Sequence, residues 1–151
     1  MGKVKVTDAL TEEVAIIAFD YNKHEPRVFS KFSARRDPQT YNVEIADASE
    51  ASAAAPVFFD PKIIGDQILI DGAVIANNPA LYAYMLSRHA LHKDNIRLIS
   101  IGTGTTQPSS LDSTEVTKID WLMQVTNLLT VVEQNAHEYL LDILPGEYYR
   151  F

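Results

Sequence analysis

The 151 residues of this chain, with a mass of 16.9 kDa, are enough for one domain with a sizeable core. Hydrophobic residues make up 46% and charged residues 22%, a balance that indicates a globular protein. The formal net charge of -7 argues against nucleic acid as a partner, because phosphate binding needs clustered Lys and Arg. The chain has no cysteine, which excludes disulfides, thiolate metal sites and thiol nucleophiles.

The N-terminal stretch MGKVKVTDALTEE lacks the apolar core of a signal peptide. No apolar run in the chain approaches the roughly 20 residues that a membrane-spanning helix needs. These two absences predict a cytoplasmic protein. The acidic charge does not exclude lipid, because an enzyme can meet a membrane surface through apolar side chains.

Apolar runs in the first half of the chain predict strands. VAIIAFDY (14–21) reads as a buried strand, and RVFSKFS (27–33) follows as a second strand after a short turn. IADASEASAAA (45–55) is helix-prone and rich in small residues, and Pro56 ends it by disfavouring helical backbone before it. DQILIDG (66–72) is a strand that stops at Asp71 and Gly72.

The second half begins with a helix and a strand. NNPALYAYMLSRHALH (77–92) predicts a helix in which Asn78 is the N-cap and Pro79 takes the first helical position. NIRLISIGTG (95–104) is a nearly continuous apolar strand, which is typical of parallel sheets covered on both faces.

Helical sequence then extends from Asp112, whose spacing to Glu115 fits a capping box, to Leu144. It forms one helix, or two with a break near Asn135. EYYRF (147–151) predicts a final strand. The alternation of strands and helices over the whole chain is the pattern of an α/β fold.

Asp71 is the first candidate for chemistry, because functional groups collect at the carboxyl ends of strands in open parallel sheets. Gly72 gives the backbone room for a sharp turn after it. Asp-Gly is also a common turn pair, so the alternative interpretation is that Asp71 is an ordinary turn residue.

Other candidate sites have weaker patterns. The Gly102-Thr103-Gly104 loop follows a strand but lacks the Lys of a phosphate-binding P-loop, so a structural turn is the better interpretation. His89 and His92 are three residues apart on a predicted helix, but no Glu-x-x-His partner accompanies them, which favours solvated or capping roles over a metal site. We predict no metal.

An apolar stripe at helical spacing lies in the long C-terminal helix. We expect it to be core, with a surface toward substrate or membrane as the alternative. Its residues are Trp121, Leu122, Val125, Leu128 and Leu129.

Three stretches in order, ASAAAPVFF, LIDGAVIANNPA and RLISIGTG, resemble the patatin-like phospholipase family. That family carries a small-residue stretch ending Ala-Ala-Pro, then an Asp-Gly-Gly or Asp-Gly-Ala motif with Asn-Asn-Pro, then a strand ending Gly-Thr-Gly. The early LTEEVAIIAFDYNKHEPRVFS and the late EYYRF are also similar to the family. The likeness covers essentially the whole chain, and it implies a three-layer α/β/α fold with a mostly parallel sheet.

The resemblance implies a serine hydrolase of lipid acyl esters that works with a Ser-Asp dyad and needs no cofactor. Asp71 matches the aspartate of the dyad, whose role is to take the proton from the serine as its oxygen attacks the ester. The supporting motif positions are Gly72, Ala73, Asn77, Asn78 and Pro79. Ala73 stands where Gly is more common in the family.

The chain departs from the family at the nucleophile. Family members carry it in Gly-x-Ser-x-Gly, and none of the nine serines of this chain lies between such glycines. The Gly-rich oxyanion loop is missing as well. A triad of Ser52, a histidine and Asp71 stays an alternative, although nothing local activates Ser52.

We therefore expect residues 1–151 to be the C-terminal portion of a patatin-like domain, hence a partial three-layer fold. Apolar strands without their neighbours would invite aggregation or pairing, so a second chain could supply the missing half. A non-catalytic fragment that acts as a binding or interaction module is the rival interpretation.

Overall fold

The computed structural model describes residues 3–104 and 117–151. They form two compact units, Met1–Ala76 and Asn77–Phe151, each with a hydrophobic core of its own. The chain is a mixed α/β protein, as the alternation of its elements predicts.

The first unit is built on a four-stranded sheet with the strand order β2-β1-β4-β3. Every neighbouring pair in this sheet is antiparallel. A short turn joins β1 to β2, and so short a connection permits only an antiparallel pair. The strands are β1 (Ala15–Asp20), β2 (Glu25–Ser30), β3 (Lys62–Ile64) and β4 (Gln67–Asp71).

Small residues allow helix α3 (Ile45–Ser52) to pack closely on this sheet. Ala48 and Ala51 on its inner face are fully buried together with Phe29 and Leu69 of the strands. Because an Ala face adds little thickness, the helix backbone approaches β1 and β4 closely enough for the hydrogen bonds described below. The helices of this unit are a 3-10 turn (Val6–Asp8), α1 (Lys31–Arg36), α2 (Pro38–Tyr41), α3 (Ile45–Ser52) and α4 (Ala73–Ala76).

The second predicted strand is shorter than the sequence suggested. It ends at Ser30, whose hydroxyl oxygen accepts a hydrogen bond from the backbone N–H of Ser33 at 3.0 Å. Ser30 is thus the N-cap of α1, and the remainder of RVFSKFS is helical.

A buried ion pair lies at the end of the β1-β2 hairpin. Arg27 Nη2 contacts Asp20 Oδ2 at 2.6 Å, and both side chains are almost fully buried. Arg27 Nη1 also donates to the Tyr41 hydroxyl at 2.9 Å, and Asp20 Oδ1 accepts from the backbone N–H of Asn22 at 3.1 Å. These partners offset part of the cost of removing two charges from water, although the buried Arg27 Nε makes no hydrogen bond within the described residues.

The second unit contains a two-stranded parallel sheet of β5 and β6 and two helices. Its core is formed by Tyr84, Ile96 and Leu141, with Ala80 beside them. The parallel pairing of RLIS with EYYR confirms that the chain ends in a strand. The elements are α5 (Ala80–His89), β5 (Arg97–Ser100), α6 (Lys118–Ile143) and β6 (Glu147–Arg150).

The larger described sheet is antiparallel and only the β5-β6 pair is parallel. The expectation of a mostly parallel sheet is therefore not met by the described strands. The apolar run that favoured it, NIRLISIGTG, does form a parallel pair. The mostly parallel sheet was expected from the family resemblance, and the short turn between β1 and β2 makes that pair antiparallel.

Helix α6 is continuous through Asn135, which decides between the one-helix and two-helix alternatives. Thr117 and Asp120 cap its first turn: Asp120 Oδ2 accepts from the Thr117 backbone N–H at 2.9 Å, and Thr117 Oγ1 accepts from the Asp120 backbone N–H at 3.2 Å. The predicted capping box of Asp112 and Glu115 lies outside the described residues.

The apolar stripe on α6 is not core. Trp121, Val125 and Leu129 are 55%, 43% and 61% exposed, whereas Leu141 on another side of the helix is buried in the core of the unit. The helix packs on its own unit through that other side, so the expectation of a core stripe is wrong. Among the described helices, none is both long and apolar enough to cross a membrane.

Candidate active site

Asp71 is the last residue of β4, as the sequence predicts. Its Cα is paired with that of Ala18 on β1, and its backbone N–H donates to the carbonyl oxygen of Ala54 at 3.0 Å. A central strand on one side and the end of the small-residue segment on the other thus hold the backbone of Asp71. Its side chain is half-buried.

Gly72 is required by a close approach of two backbones. A Cβ at this position would lie 2.1 Å from the carbonyl oxygen of Ile17, a distance at which atoms overlap. The Gly72 N–H points toward the Ser52 carbonyl oxygen at 3.4 Å. Any side chain here would push β1 away from the turn, so the Asp-Gly pair is fixed by packing as well as by turn geometry.

The Asp71 carboxylate organises the turn that follows. Its Oδ1 accepts a hydrogen bond from the Ala73 backbone N–H at 2.8 Å, which begins the short helix α4. Within residues 3–104 and 117–151, this is the hydrogen bond that the carboxylate makes, and it leaves Oδ2 uncommitted. One oxygen is therefore anchored and the other can accept a proton.

The alternative triad gains no support from this geometry. In the described part of the chain, the Ser52 hydroxyl makes no hydrogen bond to Asp71 or to a histidine. Ser52 contacts the Asp-Gly turn through its backbone carbonyl oxygen, which faces the Gly72 N–H. Ser52 ends α3 and is placed there as a structural residue.

The Asn-Asn-Pro residues belong to the second unit, where Asn78 is fully buried. Its Nδ2 donates to the Tyr148 hydroxyl at 2.8 Å, and its Oδ1 accepts from the Ser100 hydroxyl at 3.0 Å. Oδ1 also accepts from the backbone N–H of Ala80 at 3.2 Å. Helix α5 begins at Ala80, one residue later than predicted, with Pro79 just before it and Asn78 still bonded to its first turn.

The partners of Asn78 were not identified from the sequence. Ser100 ends β5, Tyr148 lies on β6, and Arg150 Nη1 donates to the Ser100 hydroxyl oxygen at 3.1 Å. Arg150 Nε also contacts Glu138 on α6 at 3.1 Å. The sequence does hold a signal for this network. Two apolar strands end in polar residues, Ser100 and Arg150, and Asn78 stands just before a helix.

Asn77 is exposed and contacts α6 of the same unit. Its backbone N–H donates to Glu133 Oε2 at 3.2 Å, and its Nδ2 donates to Gln134 Oε1 at 3.3 Å. Burial raises the pKa of Glu133, and the contacts with His137 and the Asn77 N–H oppose that rise without cancelling it. His137 also packs edge-on against Tyr82.

The candidate residues thus divide into two groups. Asp71, Gly72 and Ala73 form one turn in the first unit, whereas Asn77, Asn78 and Pro79 begin α5 in the second. In the described ranges, no cluster of three or more His, Asp or Glu residues is arranged to hold a metal ion. His89 is the last residue of α5, and His92 lies in the loop beyond it.

Comparison with known proteins agrees with the sequence resemblance. The family profile described as Patatin-like phospholipase matches residues 5–84, which include the Asp71-Gly72 turn. The chain therefore belongs to the patatin-like phospholipase family.

Individual relatives extend the match over most of the chain. Patatin-08 of Solanum tuberosum is 31% identical over 94% of this chain, and Patatin-17 of Solanum cardiophyllum is 29% identical over the same share. Patatin-like protein 1 of Arabidopsis thaliana is 31% identical over 71% of it. The match covers 43%, 43% and 31% of those proteins, so the chain spans less than half of their length.

Proposed function

We propose that this chain carries the aspartate half of a Ser-Asp dyad in a lipid acyl-ester hydrolase of the phospholipase A or lysophospholipase type. Asp71 is the general base, and the nucleophilic serine comes from a segment that these 151 residues do not contain. The substrate is a phospholipid or another lipid acyl ester, met at a membrane surface.

One observation carries the proposal: the Asp71 carboxylate is anchored through Oδ1 and leaves Oδ2 uncommitted among the described residues. A carboxylate is a weak base toward a hydroxyl, so it must be held at a fixed position and must reach the serine directly. The bond from Ala73 N–H and the backbone bond to Ala54 supply the fixed position.

The steps of the reaction follow from these roles. Asp71 Oδ2 takes the serine proton as the serine oxygen attacks the ester carbonyl, and then returns it to the leaving alcohol. Water deacylates the serine in a second step with the same base. No metal or organic cofactor takes part in this scheme.

Complementation tests the proposal. This chain is joined to, or expressed with, the Gly-x-Ser-x-Gly-containing part of a full-length family member, and hydrolysis of a short-chain p-nitrophenyl ester is measured. We expect Asp71→Asn to lower kcat about 100-fold or more, because a positioned base contributes roughly 10²–10⁴-fold. Asn keeps an oxygen for the Ala73 N–H, so the fold should survive.

Asp66→Asn is the matched control, because it removes an exposed carboxylate from the turn just before β4 of the same unit. It should leave hydrolysis unchanged. Equal activity of Asp71→Asn and the parent would reject Asp71 as the base.

The rival function is a non-catalytic interaction module. The observation that favours it is that none of the nine serines lies in Gly-x-Ser-x-Gly. A complemented protein that folds, binds lipid and shows only background hydrolysis would support this rival. Labelling of the isolated chain by a serine-reactive fluorophosphonate would instead show that a nucleophile is present in it.

A further inference from the structure

The loop between α3 and β3 leaves three consecutive large apolar side chains in solvent. Val57, Phe58 and Phe59 are 63%, 64% and 67% exposed. We call these three residues the 57–59 tip. Consecutive exposed apolar residues mark a contact with another molecule more often than single ones do. Within residues 3–76 the other exposed large apolar residues are single: Val4, Leu10, Tyr21 and Ile63.

Both ends of this loop are attached to β4 where that strand reaches Asp71. At the first end, the carbonyl oxygen of Ala54 accepts from the Asp71 backbone N–H at 3.0 Å. At the second end, Lys62 begins β3, and its Cα is paired with that of Leu69. Because β3 and β4 are antiparallel, the residues before Lys62 lie at the same end of the sheet as those after Leu69. The tip therefore belongs to the end of the sheet that carries Asp71.

The tip is held in a fixed shape by its own backbone. The N–H groups of Phe58 and Phe59 both donate to the Ala55 carbonyl oxygen, at 3.1 and 3.0 Å. Pro56 and Pro61 flank the tip and restrict the chain on both sides of it. An ordered turn thus presents the apolar side chains to solvent, and it has little conformational entropy to lose when a ligand binds.

Val57 adopts a strained backbone conformation. Its φ of 77° lies in the left-handed region, which a β-branched residue rarely enters. Glycine suits such a position better, and residues held in such conformations cluster at functional sites. A valine here supplies an apolar side chain at the cost of backbone strain, which points to a use for that side chain.

We propose that the 57–59 tip binds the acyl chain of the lipid ester whose carbonyl is attacked beside Asp71. This inference rests on the function proposed above and adds the part of the substrate that the chain recognises. The ester must come to this end of the sheet, because Asp71 lies there. Its acyl chain is uncharged and apolar, so it is bound by apolar side chains next to the reacting group. The tip thus sets a preference for long acyl chains.

The length of an acyl chain fits the distance between the tip and Asp71. Val57 is three residues beyond Ala54, so it lies within about 10 Å of the residue that bonds to the Asp71 backbone. A lipid acyl chain spans about 15 Å, half of the ~30 Å hydrocarbon core of a bilayer. A long acyl chain with its ester at Asp71 can therefore extend to the tip, whereas a butyryl group ends close to its carbonyl.

Chain-length selectivity in the complemented protein tests the proposal. Hydrolysis of p-nitrophenyl laurate and of p-nitrophenyl butyrate is compared for the parent and for the double variant Phe58→Ser/Phe59→Ser. We expect the ratio of the laurate kcat/KM to the butyrate kcat/KM to fall about tenfold or more, because two aromatic contacts with the long chain are lost. The loss should lie mainly in the KM for the laurate, since these contacts are already made in the bound substrate.

A second variant and a control separate the tip from general effects on the fold. Val57→Gly should keep the fold, because glycine suits a φ of 77°. It should lower the laurate-to-butyrate ratio about threefold, since one smaller apolar side chain is lost. Tyr21→Ser is the matched control and should leave the ratio unchanged. It removes an aromatic side chain that is 57% exposed in the β1-β2 turn, at the opposite end of the sheet from Asp71.

A binding measurement distinguishes failure of this proposal from failure of the proposed function. Methyl cis-parinarate is a fluorescent long-chain ester without a charge, and Asp71→Asn in the complemented protein should bind it without hydrolysing it. Adding Phe58→Ser/Phe59→Ser should weaken that binding about tenfold. Binding that depends on the tip, without hydrolysis that depends on Asp71, would support the tip and reject the base.

Two results would overturn the tip as an acyl-chain site. One is hydrolysis that depends on Asp71 while the double variant changes neither the laurate-to-butyrate ratio nor the binding of methyl cis-parinarate. The other is a double variant that lowers kcat/KM for both esters alike and lowers the melting temperature of the complemented protein. That second result would show that the Gly-x-Ser-x-Gly-containing part covers the tip instead.

Discussion

The two units differ in how they bury polar groups and how they use their helices. The first unit buries an ion pair, Asp20 with Arg27, and covers its sheet with a helix of small residues. The second buries a neutral amide, Asn78, and its longest helix leaves an apolar face exposed. The first unit is therefore sensitive to added volume and lost charge, whereas the second depends on the hydrogen bonds around Asn78.

The largest expected loss of stability comes from adding one methyl group to Gly72 in the first unit. Gly72→Ala would place Cβ 2.1 Å from the Ile17 carbonyl oxygen, so β1 and the turn must separate. We expect a loss of more than about 5 kcal/mol in the free energy of unfolding, above the usual range for overpacking because the obstacle is backbone. Urea denaturation measures it, and faster hydrogen exchange of the Asp71 amide should accompany it.

Gly102→Ala is the matched control in the second unit. Its Cβ would meet a side-chain nitrogen of Arg150 at 3.4 Å, an ordinary contact with the end of a flexible side chain. We expect a change under about 1 kcal/mol. Similar unfolding curves for Gly72→Ala and the parent chain would show that the turn can relax, and the steric account of Gly72 would be wrong.

Loss of the buried carboxylate should have the next largest effect. Asp20→Ala leaves the Arg27 guanidinium buried without its ion-pair partner, which costs roughly 3–5 kcal/mol in comparable cases. Glu25→Ala removes the exposed carboxylate that contacts the same guanidinium at 3.3 Å, and it should cost less than about 1 kcal/mol. Equal losses in urea denaturation would show that burial does not distinguish the two contacts.

The free energy of unfolding at low pH should also depend on the Asp20–Arg27 ion pair. Burial raises the pKa of Asp20. The hydrogen bonds from Arg27 and from the backbone N–H groups of Lys23 and Asn22 lower it by more than burial raises it, so the pKa lies below its ordinary 3.8. The group therefore contributes stability that is present above 3.8 and is lost as the pH falls through the lowered pKa. Asp20→Ala should abolish this part of the acid transition.

Local patterns predicted most elements of both units. The strand ending at Asp71, the helix after Asn-Asn-Pro and the terminal strand are all present, because turn residues and apolar runs act over a few neighbours. The strand-to-helix change at Ser30 was missed because a hydroxyl N-cap competed with a β-branched and aromatic run.

Tertiary features were harder to predict. The 2.1 Å approach at Gly72 depends on Ile17, which is 55 residues away along the chain. The Ser100–Asn78–Tyr148 network joins three distant segments. The sequence located the α6 stripe but could not say which helix face the unit buries, because both faces carry apolar residues. The role proposed for Asp71 came from the family resemblance, because spacing alone does not distinguish a base from a turn residue.

The smallest expected effect comes from Glu133 in the second unit, where stability should change with pH in the opposite direction to the effect of Asp20. Burial raises the pKa of Glu133 above its ordinary 4.5, so folding favours the protonated form. Its stabilising contribution is present below 4.5 and is lost as the pH rises through the raised pKa, opposite to Asp20. Gln at this position stays neutral and still offers an oxygen to the Asn77 N–H.

The parent chain should therefore lose stability relative to Glu133→Gln as the pH rises from 4 toward neutrality, by less than about 1 kcal/mol, the size of one partly buried hydrogen-bonded group. Thermal unfolding followed by Trp121, the single tryptophan of the chain, reports on this unit. A difference that stays constant with pH would mean that Glu133 titrates alike in the folded and unfolded chain. A difference of opposite sign would mean that the contact with His137 outweighs burial, and the second unit would then resemble the first.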